Sequence, residues 1–505
     1  MFRTGRRAAL AAAAMAVAWA VAFAPAAPAA KPAGDPVAVY LTTPGDGKKL
    51  ERQPDAHFGS QQNGGSGSST VAVDPSQRLQ TIRGFGAAFT DSSLWLLSKL
   101  SPERRDQALR SLLDPRAGIG LSVMRVPMAA SDFSASGMYS YDDMPAGQSD
   151  PSLARFSIAH DNAYVLPILR EALRINPGLK LIANPWSPPG WMKTNDSMLG
   201  VSPTGGPGTL RPQAYDALAR YFVRFLEAYR DAGVPIWAIT PQNEPLQPTA
   251  DYPGMFLTAS QEATFVHDNL MPALRAAHLD TKVYGFDYVW AGSEPYVAGL
   301  TSSPAAGDLA GIAYHCYFGE PESMSAVHAL HPELDLIEDE CSTGISVMSP
   351  IQVLVRSVNN WASTVTMWNV ALDPGGGPKM GSGCFSCIGV TTVDPAKDSV
   401  APTGNYWELG HASKFVQPGA RRIQARVEPD PGNCGSSPVC GLEVSAFRNP
   451  DGSTVVVATN SGQDETFSVR RPDGQSFTYS LPAQRPPPGS TDNSADAAVV
   501  SFVWR

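Results

Sequence analysis

Eight short apolar runs, spaced through residues 84–372, constrain this chain more than any other feature. They read "GFGAAFT" (84–90), "GLSVMRVPM" (120–128), "KLIANPWS" (180–187), "IWAITPQNEP" (236–245), "KVYGFDYVW" (282–290), "GIAYHCY" (311–317), "LDLIEDEC" (334–341) and "TVTMWNVAL" (364–372). Amphipathic stretches separate them, among them "YDALARYFVRFLEAYRDAG" (215–233) and "SQEATFVHDNLMPALRAAH" (260–278), with apolar residues at helical spacing. An apolar run of strand length followed by a helix, repeated eight times, predicts an α/β fold: a (β/α)8 TIM barrel over residues 84–414. The competing architecture, an open doubly wound sheet, usually carries a Gly-rich phosphate turn after its first strand, and "GFGAAFT" is not G-x-G-x-x-G.

Beyond residue 414 the rhythm is one of short strands. "RRIQARV", "GLEVSAF", "STVVVATN", "TFSVRR", "FTYSL" and "AVVSFVW", with turns such as "NPDGS" and "RPDGQ", predict an antiparallel β-sandwich over residues 415–505. The strand-like stretches at 31–83 have no barrel role, so they are expected to join that sandwich, building it from both chain ends. Residues 1–30 read as a signal peptide: a cationic start with Arg3, Arg6 and Arg7, an apolar core, and small residues with an A-x-A match at 27–29. The expected mature chain is secreted. No later segment holds about 18 uninterrupted apolar residues, so no integral membrane span is expected in it.

The net charge is −9, and the first 30 residues carry three Arg and no acid, so the exported form is more acidic still. That balance argues against nucleic acid or an anionic membrane surface as a partner. Six cysteines fall after the signal, where disulfides are permitted. Cys434 and Cys440 bracket the short loop "CGSSPVC", which suggests a local bridge. "CFSC" at 384–387 fits a bridge better than half of a metal site, since one C-x-x-C without a second pair or nearby histidines is weak evidence for zinc. The sequence leaves the partners of Cys316 and Cys341 open.

Functional residues of such a barrel project from the C-terminal ends of its strands. Those ends carry Asp91, Arg125, Trp186, Asn243 with Glu244, Asp287, His315 with Tyr317, Glu340, and Trp368 with Asn369. A lone Trp after a strand is ordinarily core and a lone Glu ordinarily solvated, but eight strands ending this way together point to a site. Glu244 ends the fourth strand and Glu340 the seventh, across the rim from one another. Two facing carboxylates can hydrolyse a glycosidic bond, one protonating the leaving oxygen while the other attacks the anomeric carbon. Asn243 can donate to a sugar 2-hydroxyl, Arg125 and Tyr317 can favour an ionised nucleophile, Trp186 and Trp368 can stack on a pyranose, and Asp91 can accept from sugar hydroxyls. In "EDE", strand alternation puts Glu338 and Glu340 on one face and Asp339 on the other.

These same segments resemble glycoside hydrolase family 30. The resemblance runs in order through "GFGAAFTDSS", "RVPMAASDFS", "FSIAHD", "NPWSPPGWMKTN", "AITPQNEP", "AYHCY", "IEDECS", "WNVALDPGGGP" and "ELGHASKFV", over about residues 80–415. It implies a retaining mechanism on a barrel with a side β-sandwich, with Glu244 as acid/base and Glu340 as nucleophile. It also implies sugar contacts from Asp91, Trp186, Asn243, Tyr317 and Trp368, and His315 is expected among the substrate-binding residues. Where the glucosylceramidase side of the family carries a further sugar-side Asn after "GGP", this chain reads "KMGSGCFSCIGVTTVD", so its leaving group is open to difference.

The resulting expectation is a secreted, monomeric, retaining β-glycoside hydrolase with a carbohydrate or glycolipid substrate, needing no cofactor and no metal. Its specificity is expected on the glucosylceramidase and β-glucosidase side, with endo-β-1,6-glucanase or β-xylosidase as the alternative. A catalytically silent carbohydrate-binding protein would lack one of the two acids, and both are present. A metal-dependent hydrolase needs several strand-end histidines, and His315 is the only one.

Overall fold

The computed structural model describes residues 34–43, 47–59, 69–202, 205–430, 432, 434, 435, 437, 440–483 and 498–505. The signal peptide expected at residues 1–30 lies outside them. Eight parallel strands close into a barrel. In chain order they are Gly84–Ala88, Val123–Pro127, Lys180–Asn184, Ala238–Ile239, Lys282–Val289, Gly311–His315, Asp335–Glu340 and Ala362–Met367, here called barrel strands one to eight. Strand eight pairs back onto strand one through Thr364–Gly84, Val365–Phe85, Thr366–Gly86 and Met367–Ala87.

The interior explains why the strands read as continuous apolar runs, since both faces of a parallel barrel strand are covered. Val123, Ile182, Ala238, Tyr284, Ala313 and Ile337 form one buried inner cluster. The helices bury single stripes against the outside. Tyr215–Asp231 turns Leu218, Phe222, Phe225 and Tyr229 inward at spacings of four, three and four. The stretch expected as one helix at 260–278 is helical over Ala259–Ala276, with a wider π turn at Phe265–Leu270. Thr258 and Gln261 close its start as a capping box.

Strands from both ends of the chain are hydrogen-bonded in one nine-stranded sheet. Its order is Ser476–Leu481, Glu465–Arg470, Ser69–Thr81, Arg421–Glu428, Leu442–Arg448, Thr454–Asn460, Ala498–Trp504, Pro36–Thr42 and Glu51–His57. Within the strand-like stretches expected at 31–83, Ser69–Thr81 is one continuous 13-residue strand. The sheet's core contains Val37, Val39, Phe58, Val71, Phe467, Phe477, Phe502 and Trp504. Two of the polar links between sheet and barrel are buried side-chain contacts. Arg356, on helix Pro350–Asn359, makes a two-bond fork with Glu443 at 2.6 and 3.0 Å. His411, buried on helix Gly404–Ser413, sits 2.8 Å from both Ser501 Oγ and Thr42 Oγ1, and burial lowers its pKa to about 3. It is therefore a neutral connector.

The cysteines pair as Cys316–Cys341, Cys384–Cys387 and Cys434–Cys440. The first pair joins the residues immediately following barrel strands six and seven. No helix among the described residues is long and apolar enough to cross a membrane.

Candidate active site

The C-terminal mouth of the barrel opens as a cleft of about 200 Å³, lined by Asp132, Trp186, Asn243, Glu244, Tyr317, Glu340 and Trp368 among others. Glu244 follows strand four in the left-handed region, with φ of 45°, a conformation that a non-glycine residue adopts at a cost of about 1–3 kcal/mol. Its N–H donates to Asp287 O at 2.9 Å, and its C=O accepts from Gln247 N at 2.9 Å. The next strand thus holds this backbone in place. Glu340 ends strand seven. One carboxylate oxygen from each of Glu244 and Glu340 and one ring nitrogen of His315 all lie within 4.8 Å of one another. The two acids therefore face each other at close range, near the ~5–5.5 Å that suits a covalent double displacement and short of the ~6.5–9.5 Å that leaves room for a water between them.

Below them, Arg125 is fully buried and gathers the cluster. It bonds a Glu340 oxygen, and its Nη2 donates to Asp287 at 2.9 Å and to Asn243 Oδ1 at 2.7 Å. Its Nε lies 3.2 Å from Asp339. Burial opposes the Arg125 charge, but Asp287, Asp339 and Glu340 outweigh it and hold the guanidinium charged. Because Arg125 takes the Asn243 oxygen, the amide NH2 remains as the donor on the cleft side. Burial likewise opposes a charge on His315, yet Glu340, Asp287 and Glu244 raise its pKa well above the usual histidine range. Asp287 is pulled well below the usual carboxylate range, because Arg125 and His315 overcome its burial. Burial and the neighbouring Asp287 charge instead push Asp339 up to about 8. Glu340 is raised by burial, against the pull of His315 and Arg125, and its Oε1 accepts from Tyr317 Oη at 2.9 Å.

Three expectations change. Asp91 does not reach the cleft. It is the first residue of helix Asp91–Ser98, and its carboxylate accepts from Ala135 N at 2.8 Å and from the Tyr164 hydroxyl. Asp132 lines the cleft instead. It is buried, one of its carboxylate oxygens has no partner, and burial together with the Glu340 and Glu244 charges raises its pKa well above normal. Asp132 stands seven residues beyond Arg125 in "RVPMAASDFS", on the loop and not at the end of strand two.

His315 does not line the cleft either. Its ring is fully buried, with Nδ1 3.1 Å from Glu244 and Nε2 2.8 Å from Asp287, so it positions the acids. Asp339, finally, does not point away from Glu340. Strand seven carries an extra residue there: Glu338 opposes Tyr314 and Glu340 opposes His315, so the alternation breaks at a bulge. Asp339 turns toward Arg125, while Glu338 turns elsewhere, beside Trp290.

Trp186 and Trp368 stand where expected, stacked on each other with centroids 5.0 Å apart. The Arg125 guanidinium lies 4.9 and 5.5 Å from their rings. Tyr252, Tyr288 and Gln247 complete the wall on the Glu244 side; none was expected from strand ends, because all lie on loops or on the outer edge of strand five.

The chain belongs to glycoside hydrolase family 30. The Glycosyl hydrolase family 30 TIM-barrel domain matches residues 82–416 and the family's beta sandwich domain matches residues 419–486. Among its relatives, the Endo-1,6-beta-D-glucanase of Neurospora crassa is 35% identical over 408 residues, covering 79% of this chain and 82% of that protein. The Lysosomal acid glucosylceramidase of Mus musculus is 32% identical over 432 residues, covering 80% and 79%. A solved endo-beta1,6-glucanase superposes with a TM-score of 0.78 at 29% identity, covering 93% of this chain and 99% of that one.

Proposed function

We propose that this chain is a secreted, retaining β-glycosidase that hydrolyses β-1,6-linked glucan. The close opposition of Glu244 and Glu340 across a cleft carries the mechanistic part. Glu340, supported on both oxygens by Arg125 and Tyr317, attacks the anomeric carbon from below the ring. Glu244 gives its proton to the departing glycosidic oxygen. It then takes a proton from the water that releases the covalent glycosyl-enzyme, and two inversions leave the configuration retained. The unpartnered oxygen of Asp132 and the free amide of Asn243 supply an acceptor and a donor for ring hydroxyls.

The substrate part is supported by the relatives. Three endo-1,6-beta-D-glucanases, from Neurospora crassa, Aspergillus fumigatus and Trichoderma harzianum, match at 31–35% identity. This favours the β-1,6-glucanase alternative over the glucosylceramidase side expected from sequence. The glucosylceramidase reading stands second, supported by the mouse relative.

Purified protein is expected to release gentio-oligosaccharides from β-1,6-glucan faster than glucose from glucosylceramide; the reverse order would replace the first reading by the second. With an activated aryl glucoside, Glu340→Gly plus azide is expected to give the α-azide, and Glu244→Ala plus azide the β-azide. Full turnover in either variant without azide would refute the assignment of the two acids.

A further inference from the structure

Among the described residues six large apolar side chains are exposed, and four of them, Phe318, Ile345, Val347 and Phe385, stand on the loops that follow barrel strands six, seven and eight. Phe318 and Ile345 line the catalytic cleft, as does Cys384. Phe385, the next residue, is 87% exposed. A cluster of exposed apolar side chains beside a catalytic cleft is a feature that a soluble protein keeps for binding.

The loop bearing Phe385 is fixed from every side. It leaves and returns on the paired strands Ala371–Leu372 and Thr391–Asp394. Met380 N donates to Asp132 O at 2.7 Å, tying it to the loop after strand two. Ser382 Oγ donates to Asp251 at 2.9 Å, tying it to the loop after strand four. Ser386 Oγ donates to Gly344 O at 2.7 Å, tying it to the loop after strand seven. Gly344 sits at φ of 100°, and a Cβ there would meet Ser386 O at 1.9 Å, so that contact requires glycine. The Cys384–Cys387 disulfide closes the tip around Phe385. A side chain displayed on so constrained a loop loses little freedom when a ligand covers it.

The cleft has a direction. Trp186, Trp368, Asp132 and Glu340 form its buried end, each less than a tenth exposed, and Glu244 stands farther out. The ring under attack occupies the buried end, so the leaving group must lie outward, among Gln247, Tyr288, Phe318, Ile345 and Cys384. Tyr288 Oη donates to Gln247 Oε1 at 3.3 Å, so the outer cleft offers hydrogen-bonding groups as well as the apolar faces of Phe318 and Ile345. A sugar, apolar on its ring face and polar at its edge, matches both kinds of group; a hydrocarbon chain would cover the remaining hydrogen-bonding capacity of Gln247 and Tyr288 without satisfying it.

We propose that the disulfide-closed loop 379–388, with Phe385 and its neighbours Phe318 and Ile345, is the leaving-group subsite and takes the next glucosyl unit of a β-1,6-linked chain on its apolar face. This rests on the reading of function above and adds the residues that select the leaving group.

The test measures kcat/KM for β-glucosyl fluoride, gentiobiose, gentiotriose and octyl β-glucoside. Fluoride leaves no sugar in the outer cleft. Covering part of a Phe face is worth about tenfold in binding, so Phe385→Ala and Phe318→Ala are each expected to lose roughly that factor on gentiotriose, mainly through KM. Both variants are expected to stay within about twofold of the parent on the fluoride. The double variant Cys384→Ser/Cys387→Ser is expected to move the same way as Phe385→Ala. Leu330→Ala, exposed but on a remote helix end, is expected to change nothing. Undiminished gentiotriose cleavage by both Phe variants overturns the inference. Losses confined to octyl glucoside also overturn it, assigning the rim to a hydrocarbon. A parent enzyme that cleaves the fluoride but no 1,6-linked substrate instead refutes the functional reading, and the glucosyl assignment falls with it.

Discussion

Replacing Tyr317 by Phe removes one oxygen and leaves the ring. That oxygen donates to Glu340 Oε1 at 2.9 Å, while Arg125 holds the other carboxylate oxygen. The Tyr317 hydroxyl stays protonated at any working pH, since burial and the Glu340 charge raise its pKa well above normal. It is therefore a permanent donor that favours the ionised form of Glu340, the form the proposed double displacement requires. A hydrogen bond to a charged group is worth about 1.5–3 kcal/mol net, and one pKa unit corresponds to about 1.4 kcal/mol, so its loss should raise the Glu340 pKa by about one to two units.

Glu340 is already raised by burial, so the shift moves its titration farther into the working range. The acidic limb of kcat/KM against pH, read with β-glucosyl fluoride, is expected to move upward by at least about one unit. Well above the limb the loss should be small; below both limbs, activity should lie a constant ~10- to 100-fold under the parent's at the same pH, the factor set by a shift of about one to two units. A limb that stays in place while activity drops equally at every pH would refute the role given to this hydroxyl. Phe fills the same space, so a large fall in melting temperature would also count against the interpretation.

Asp132→Asn is expected to lower kcat/KM by about 10- to 100-fold, while Asp91→Asn should stay within about threefold, because only Asp132 lines the cleft; equal effects would undo the reassignment. Glu262 is fully buried, accepts from Tyr296 Oη at 2.7 Å and Phe286 N at 3.0 Å, and burial raises its pKa from 4.5 to about 7. The folded state therefore holds a proton that the unfolded state gives up. The contribution of Glu262 to stability is fully present below about 4.5 and is lost as pH rises toward 7, by about 3 kcal/mol at most. Glu262→Gln should remove that decline from denaturation curves measured across the window. Arg356→Met leaves the Glu443 charge buried without its cation at the barrel–sheet junction, with the Gln352 amide still donating to it, and is expected to cost about 3–5 kcal/mol; adding Glu443→Leu should recover most of it, and failure to recover would show that more than the ion pair is lost.

The barrel was legible because its signal is long-range and redundant: eight runs of one length, each buried on both faces. Glu244 and Glu340 were legible because a strand end in a barrel fixes where a side chain goes. The failures share one cause, which is backbone that departs from that rule. Asp91 is carried into a helix start, where a neighbouring N–H and hydroxyl claim it. Asp132 comes back into the cleft on a loop with no periodicity. Asp339 is turned by a bulge that alternation cannot foresee. The Cys316–Cys341 bridge, spanning 25 residues, follows from strands six and seven being neighbours, which spacing alone does not state.

The placement of Arg125 also bears on how the chain assembles. Arg125 arrives on strand two, Asp287 follows 162 residues later on strand five, and Glu340 follows 215 residues later on strand seven. A growing half-barrel of four strands thus presents a cation at its centre without the acids that neutralise it. Such a fragment must keep water around the guanidinium, and its interior cannot dry. Strand seven supplies Asp339 and Glu340, the other two of the three acids that surround the guanidinium. The group that holds Glu340 in the candidate site therefore also ties strands two, five and seven together, so a barrel without its later strands would carry an uncompensated charge at its core.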